Sequence, residues 1–348
     1  MSRQTFLSLA AAGARIPIGT HLLLHAHPDP EAILLDGRRL GGVIAQTADR
    51  FRTPLAIPLM DLALEKEALL LACGLPASQA EGHHFSALPD VPAEIPLTPR
   101  MRAACGALAE VARRPDLVPI GMAIGPFSLM TKLVSDPITP VYLAGSGVTA
   151  GEDAEVALVE QLLAVAERVV RLYLEAQVGA GARAVIICEP AANMVYFSPK
   201  QLAAGAGVFE RFVMEPMRRI AGLLAGHQVD LVFHDCGELT DDMVRRFSTL
   251  GAAMLSFGSS RRLWEDARLV PADTVLYGNL PTKRFYADQL TGAEVERLAR
   301  DLMARMGATG HPFILGSECD VLSVPGRERE ILGKVDAFMN CPGAGCSG

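Results

Sequence analysis

Eight short apolar runs, rich in β-branched residues and bounded by turn formers, punctuate this chain at 16–25, 55–61, 118–124, 184–190, 231–236, 252–258, 273–279 and 312–318. Segments of helical period separate most of them. Glu152–Val178 carries Val156, Val159, Leu163, Ala166 and Val170 on one face, and Ser198–Leu224 opens with Ser-Pro, a helix start. Strand then helix, repeated, builds a parallel sheet. The runs AVIIC and TVLYG are apolar on both faces, as strands are when helices cover one side and packed side chains fill the other. Eight such units predict an α/β fold, a single (β/α)8 barrel of the TIM type, with a doubly wound open sheet as the rival.

The rivals differ in where polar residues fall, because a barrel gathers its chemistry at the C-terminal strand ends. Asp61, Glu189, His234, Cys236, Asn279, Glu318 and Cys319 all close or follow candidate strands. Length alone, 348 residues, allows two domains or one large barrel. No linker or composition shift divides the chain, so residues 1–348 read as one domain. The Pro-rich, helix-poor segment 76–99 is an insertion, and 341–348 is a tail expected to fray.

Composition narrows the function classes. Half the residues are apolar, which suits a large core, and 32 basic against 39 acidic residues leave a net charge of −7 with no run of five like charges. Nucleic acid and anionic lipid are therefore not expected partners. No uninterrupted apolar stretch approaches the 18 or so residues of a membrane span. Arg3 ahead of Phe6 to Ala14 faintly imitates a signal peptide, but the basic region is minimal and Arg15 follows at once. Seven cysteines are too sparse for a disulfide scaffold and point to thiols in a reducing, cytoplasmic compartment.

In LVFHDCG, residues 231–237, His234 and Cys236 lie two apart and project to the same side of a strand end. Cys319, in FILGSECD, ends the last candidate strand, and barrel closure brings both ends to one rim. A His-Cys-Cys set suits zinc and leaves a fourth position open, as catalytic zinc sites do. A buried cysteine and a satisfied core histidine are the bland alternative.

The order of pieces resembles the uroporphyrinogen decarboxylase superfamily, and within it the zinc-dependent, corrinoid-linked methyltransferases that include the methylcobalamin:coenzyme M enzymes. RIPIG at 15–19, MDLALEKEAL at 60–69, GPFSLMTKLV at 125–134, EPAANMVYFSPKQL at 189–202, HDCG at 234–237, GNLP at 278–281 and SECD at 317–320 carry it. The resemblance implies a (β/α)8 barrel with zinc on His234, Cys236 and Cys319, and an aspartate after the second strand at Asp61. It also implies a corrinoid as co-substrate and a small-molecule thiol or methyl donor. A zinc-held thiolate would attack the methyl group of methylcobalamin with cob(I)alamin leaving, or a methyl donor polarised by zinc would pass its methyl group to cob(I)alamin and leave demethylated.

Two departures stand out. Decarboxylases carry an arginine-rich Gly-Arg-Tyr-Leu-Pro-Glu stretch near the N-terminus, where this chain reads Thr20-His21-Leu22-Leu23-Leu24, and the usual Asp before the Pro of GNLP is absent. None of the eight histidines sits in the Asp-x-His-x-x-Gly motif of a corrinoid module, so the corrinoid comes free or on a partner protein. A metal-independent decarboxylase-like lyase, or a barrel that only binds a corrinoid or tetrapyrrole, are the alternatives.

Further residues take roles or bland readings beside these. Glu189 and Glu318 are a fourth ligand, an acceptor fixing His234, or rim carboxylates. Asp61 binds the substrate's polar end or caps the helix after it. Asn279 and Met194 are placed against the corrinoid; Met122, Met130 and Met194, near strand ends, either line an apolar pocket for a corrin face or fill core gaps. Cys188 faces away from the site if Glu189 faces it. Cys73 and Cys105 read as buried filler, His83 and His84 as surface, and Cys341 and Cys346 as tail residues able to close over the site. GSGVTA at 145–150 only imitates a dinucleotide loop, because TPVYLA is a poor strand.

Overall fold

The computed structural model describes residues 3–342. Eight parallel strands follow the chain: β1 Arg15–Ile16, β2 Leu55–Ala56, β3 Val118–Ile124, β4 Ala184–Cys188, β5 Asp230–Asp235, β6 Met254–Phe257, β7 Val275–Leu280 and β8 Phe313–Ser317. Their order is β1-β8-β7-β6-β5-β4-β3-β2, every neighbouring pair parallel, with helices between them. This is a single (β/α)8 barrel of the TIM type. The seam between β1 and β2 lacks a strand ladder, and the Thr20 hydroxyl spans it by donating to the Ile57 carbonyl at 2.6 Å.

Alternation along the strands divides the core in two. Ile120, Met122, Ile186, Cys188, Val232, Met254, Tyr277 and Ile314 fill the barrel, while Val185, Ile187, Leu231, Phe233, Leu255 and Leu276 meet the surrounding helices. Phe6, from the helix Gln4–Ala11, joins the interior cluster, and Arg3 binds the Gly251 carbonyl at 2.8 Å, so this helix closes the N-terminal end. The opposite end, where the strands finish, stays open to loops.

Six of the expected runs contain strands close to their predicted limits, and the first two depart. Of 16–25 only Ile16 is strand, and Thr20–Leu24 is helix; of 55–61 only Leu55–Ala56 pairs. Short apolar runs satisfy a buried helix as well as a strand, and Pro17 and Pro58 each remove a ladder donor. The early end of β2 leaves the edge of β3 bare. Gln177 covers it, accepting from Met122 N at 2.8 Å and donating back to Met122 O at 3.0 Å, while Glu65 accepts from Ile124 N at 3.1 Å.

The long helix runs Ala154–Gly179, with Asp153 capping Glu155 N and Val156 N. The expected single helix at Ser198–Leu224 is instead Pro199–Ala203, a break at Gly205 with φ +83°, and a second helical stretch ending at Gly226. Residues 138–145, before the glycine-rich stretch, are helical, so no strand leads into a nucleotide loop. Segment 76–99 contains one short 3-10 turn, Ala77–Gln79. Cys341 is buried in the core rather than frayed, because it packs behind the helix Glu328–Asn340; Cys346 lies outside the described residues. No helix among the described residues is long and apolar enough to cross a membrane.

Candidate metal centre

His234 is the fifth residue of β5 and points inward, in line with Val232. It is 1% exposed. Its Nδ1 lies 2.9 Å from Ser256 Oγ on the neighbouring strand, and its Nε2 is buried with no hydrogen-bond partner. Cys236 follows β5, and Cys319 sits two residues past β8. Among the described residues these three form the one group able to share a metal ion, with ligand atoms all within 4.8 Å of one another.

The residues fit zinc. Bonds of about 2.0–2.3 Å in a tetrahedron place ligand atoms roughly 3.3–3.8 Å apart, so the set has to contract by only about 1 Å. An orphaned buried ring nitrogen is costly unless something fills its lone pair. If Nε2 is the ligand atom, Nδ1 keeps the proton and donates it to Ser256, which fixes tautomer and ring plane together.

Charge around the sulfurs is arranged to keep one as thiolate. The neighbouring Cys319 side chain holds Cys236 well below the usual thiol range, with His234 adding to the effect, and the same proximity pushes Cys319 up. Lys283, exposed in the turn Thr282–Arg284 after β7, faces both sulfurs. Burial works against its charge, and negative charge at the Cys236 sulfur, with smaller pulls from Cys319 and Glu318, more than offsets that and raises its pKa. The turn is pinned by Thr282 Oγ1 donating to Cys319 O at 3.1 Å. Gly258, at the end of β6, is needed here because a Cβ would stand 2.7 Å from the Cys236 carbonyl.

The model of the family described as Uroporphyrinogen decarboxylase (URO-D) matches residues 43–326. The chain belongs to this family. It is 26% identical over 317 residues to a uroporphyrinogen decarboxylase of Ralstonia pickettii, covering 85% of this chain and 81% of that one. It is also 26% identical over 291 residues to a uroporphyrinogen decarboxylase of Cupriavidus necator, covering 79% and 76%. Among solved structures, a methyltransferase from Methanosarcina mazei superposes with a TM-score of 0.70 at 17% identity, covering 97% of this chain and 98% of that one. At that identity the likeness concerns the fold.

Within this family barrel the other expected site residues take partners of their own. Glu189 does not hold His234. It is fully buried and accepts from Phe127 N at 3.0 Å and Ser128 N at 2.8 Å, capping the helix Pro126–Thr131. Burial pushes its pKa up to about 7. Gly125 makes room for it, since a Cβ there would meet the carboxyl group at 2.1 Å. Because Glu189 turns outward, Cys188 faces the barrel interior, the reverse of the expected pairing. Glu318 likewise accepts from Ser259 N at 2.9 Å rather than from His234.

Asn279 is 7% exposed, and both its amide protons are used, on Gly258 O at 2.8 Å and Arg261 O at 2.9 Å. It fastens the turn that backs Cys236. Met194 is half-buried beside the site, its N–H donating to Glu238 O at 3.0 Å and so joining the loops after β4 and β5. Asp61 sits five residues beyond β2 in the loop to the helix Leu64–Ala72; it forms an ion pair with Arg100 and accepts from Ala63 N at 3.3 Å. Arg100 also binds Glu67 at 2.8 Å.

Met60 was not singled out by the sequence, yet the Cys319 thiol reaches its sulfur at 3.6 Å. Its N–H donates to Asp320 at 2.7 Å, and burial raises that aspartate to about 7. Ser256 and Lys283 were missed as well. Lys283 carried one available signal, a cation two residues after the departed GNLP motif. Ser256 carried none, because it matters only through the register that sets it opposite His234.

Proposed function

We propose that this protein is a zinc-dependent methyltransferase that moves a methyl group between a corrinoid, free or on a partner protein, and a thiol or methylated small molecule. The observation that carries this reading is the buried, partnerless His234 Nε2 converging with Cys236 and Cys319 at the open end of the barrel. The trio would hold zinc, whose chemistry when bound is to keep a thiol as thiolate or to polarise a methyl donor. The M. mazei methyltransferase, alike in fold over nearly its whole length, supports the class.

The chain's own residues do the rest. Ser256 orients the His234 ring, and Lys283 places positive charge beside sulfurs that must stay deprotonated. Met60 supplies an apolar contact at Cys319, and the Asn279-fastened turn supports Cys236 from behind. The test is zinc content together with methylcobalamin demethylation over a panel of thiols, followed by the corrin absorbance. About one zinc per chain and thiol-dependent demethylation are expected.

Two predictions belong to this reading. Asp61→Asn should retain zinc, because its carboxylate is bound to Arg100 and not to the trio, while kcat/KM falls several-fold if Asp61 orients substrate. Zinc assay of the purified variant checks the first part, and zinc loss would make Asp61 a ligand. Thiol binding should release about one proton, and apparent affinity should rise with pH below the free thiol pKa, because a metal-held thiol is deprotonated. Calorimetry in buffers of different ionisation enthalpy counts that proton; a count near zero favours transfer from a zinc-polarised donor to the corrinoid.

A second reading, a metal-independent decarboxylase, has the names of the curated relatives in its favour. In it Asp61 carries the polar contact to substrate. Carbon dioxide release from uroporphyrinogen by zinc-stripped protein would establish it over the methyltransferase.

A further inference from the structure

Lys66 and Lys334 are the two buried lysines among the described residues, each 3% exposed. Lys334 displays what burying an ammonium group requires. Its three N–H groups reach Phe285 O at 2.6 Å, Ala287 O at 3.0 Å and the Glu330 carboxylate at 2.5 Å. Lys66 is as deeply placed and has one acceptor, Lys132 O at 2.6 Å, with no carboxylate in ion-pair range among the described residues. Two donors and a full charge are left over.

Lys66 lines an open cleft between the start of the helix Leu64–Ala72, the turn Ala77–Gln79 and the end of the helix Pro126–Thr131. Lys132 and His84 line the same cleft. Lys132 spends one donor on Leu62 O at 3.3 Å and has no ion-pair partner among the described residues. Of the two acids there, Glu67 is bound to Arg100 at 2.8 Å and Glu81 is exposed.

We propose that this cleft is an oxyanion site, taking a phosphate or sulfonate group between Lys66, Lys132 and His84. Such an anion supplies the counter-charge and the acceptors that Glu330 and two carbonyls give Lys334. None of the residues lining the cleft belongs to the metal trio, and the anion site stands whether or not the protein is a methyltransferase.

Titration of the protein as purified with inorganic phosphate, followed by calorimetry and phosphorus NMR line width, tests it. One phosphate per chain is expected, weakened at least about tenfold in Lys66→Met and also in Lys132→Ala, whose side chain is exposed. Cys319→Ala should bind phosphate unchanged. Loss of binding in Cys319→Ala with retention in Lys66→Met and Lys132→Ala would place the anion at the metal trio and overturn the proposal, as would no saturable binding at all. Competition identifies the source: displacement of phosphate by a sulfonated thiol but not by a neutral one makes the anion the charged tail of a reactant, and displacement by neither makes it a separate ligand of the same site.

Discussion

Replacing His234 or Cys319 by alanine is expected to remove most bound zinc and to abolish methyl transfer, while the barrel stays folded. Each substitution leaves two ligands where an open catalytic site needs three. Changing a residue that merely supports a ligand costs about 10–100-fold in metal affinity, so losing a ligand itself should cost at least about 100-fold. The fold should survive because neither side chain carries the architecture. His234 makes one side-chain hydrogen bond, to Ser256, and Cys319 is only partly buried at the loop end. The cavity left by His234 should cost about 1–3 kcal/mol, a fraction of the stability of a barrel this size. Metal analysis after gel filtration, with circular dichroism on the same samples, decides the matter. Full zinc retention in either variant would sink the ligand assignment.

Glu65→Gln is expected to change how stability depends on pH. Glu65 is completely buried, with one oxygen accepting from Ile124 N and the other unpartnered. Burial pushes its pKa up to about 8. Between the ordinary glutamate value and about 8, the folded chain therefore holds this proton more tightly than the unfolded chain does. Stability must fall as pH rises through that window and level off above it. Near 1.4 kcal/mol per pKa unit, the effect amounts to several kcal/mol. Glutamine keeps the acceptor for Ile124 N and has no proton to lose.

The variant should thus gain on the native protein progressively from about pH 5 to pH 8. Glu189 and Asp320, both raised to about 7, slope the same way in both proteins and cancel in the difference. Urea unfolding of the two proteins across that range provides the measurement. A flat difference curve would mean that Glu65 ionises freely.

Much of the architecture was legible because it rests on periodicity. Six runs of alternating or continuous apolar residues became β3 to β8, and Glu152–Val178 became a helix, since burial acts on every turn or pleat and repeats its mark along the chain. The first two runs misled for the same reason in reverse. RIPIGTHLLL and LAIPLMD are apolar enough for a strand, but prolines and the open seam between β1 and β2 left each only two paired residues.

At the candidate site, sequence by itself determined which three side chains meet at the barrel rim. His234 and Cys236 two apart at a strand end, with Cys319 closing the last strand, follow from the pleat and from barrel closure, and the structure brings their ligand atoms together. What the carboxylates do was decided only in three dimensions. Glu189 caps a helix and Glu318 holds a loop, because a buried acceptor goes to the nearest unsatisfied N–H groups, and those belong to segments about 60 residues away in sequence. Ser256 opposite His234, Lys283 beside the sulfurs and Lys66 without a counter-ion are likewise products of packing. Register and loop approach set them, and neither leaves a periodic trace in the chain.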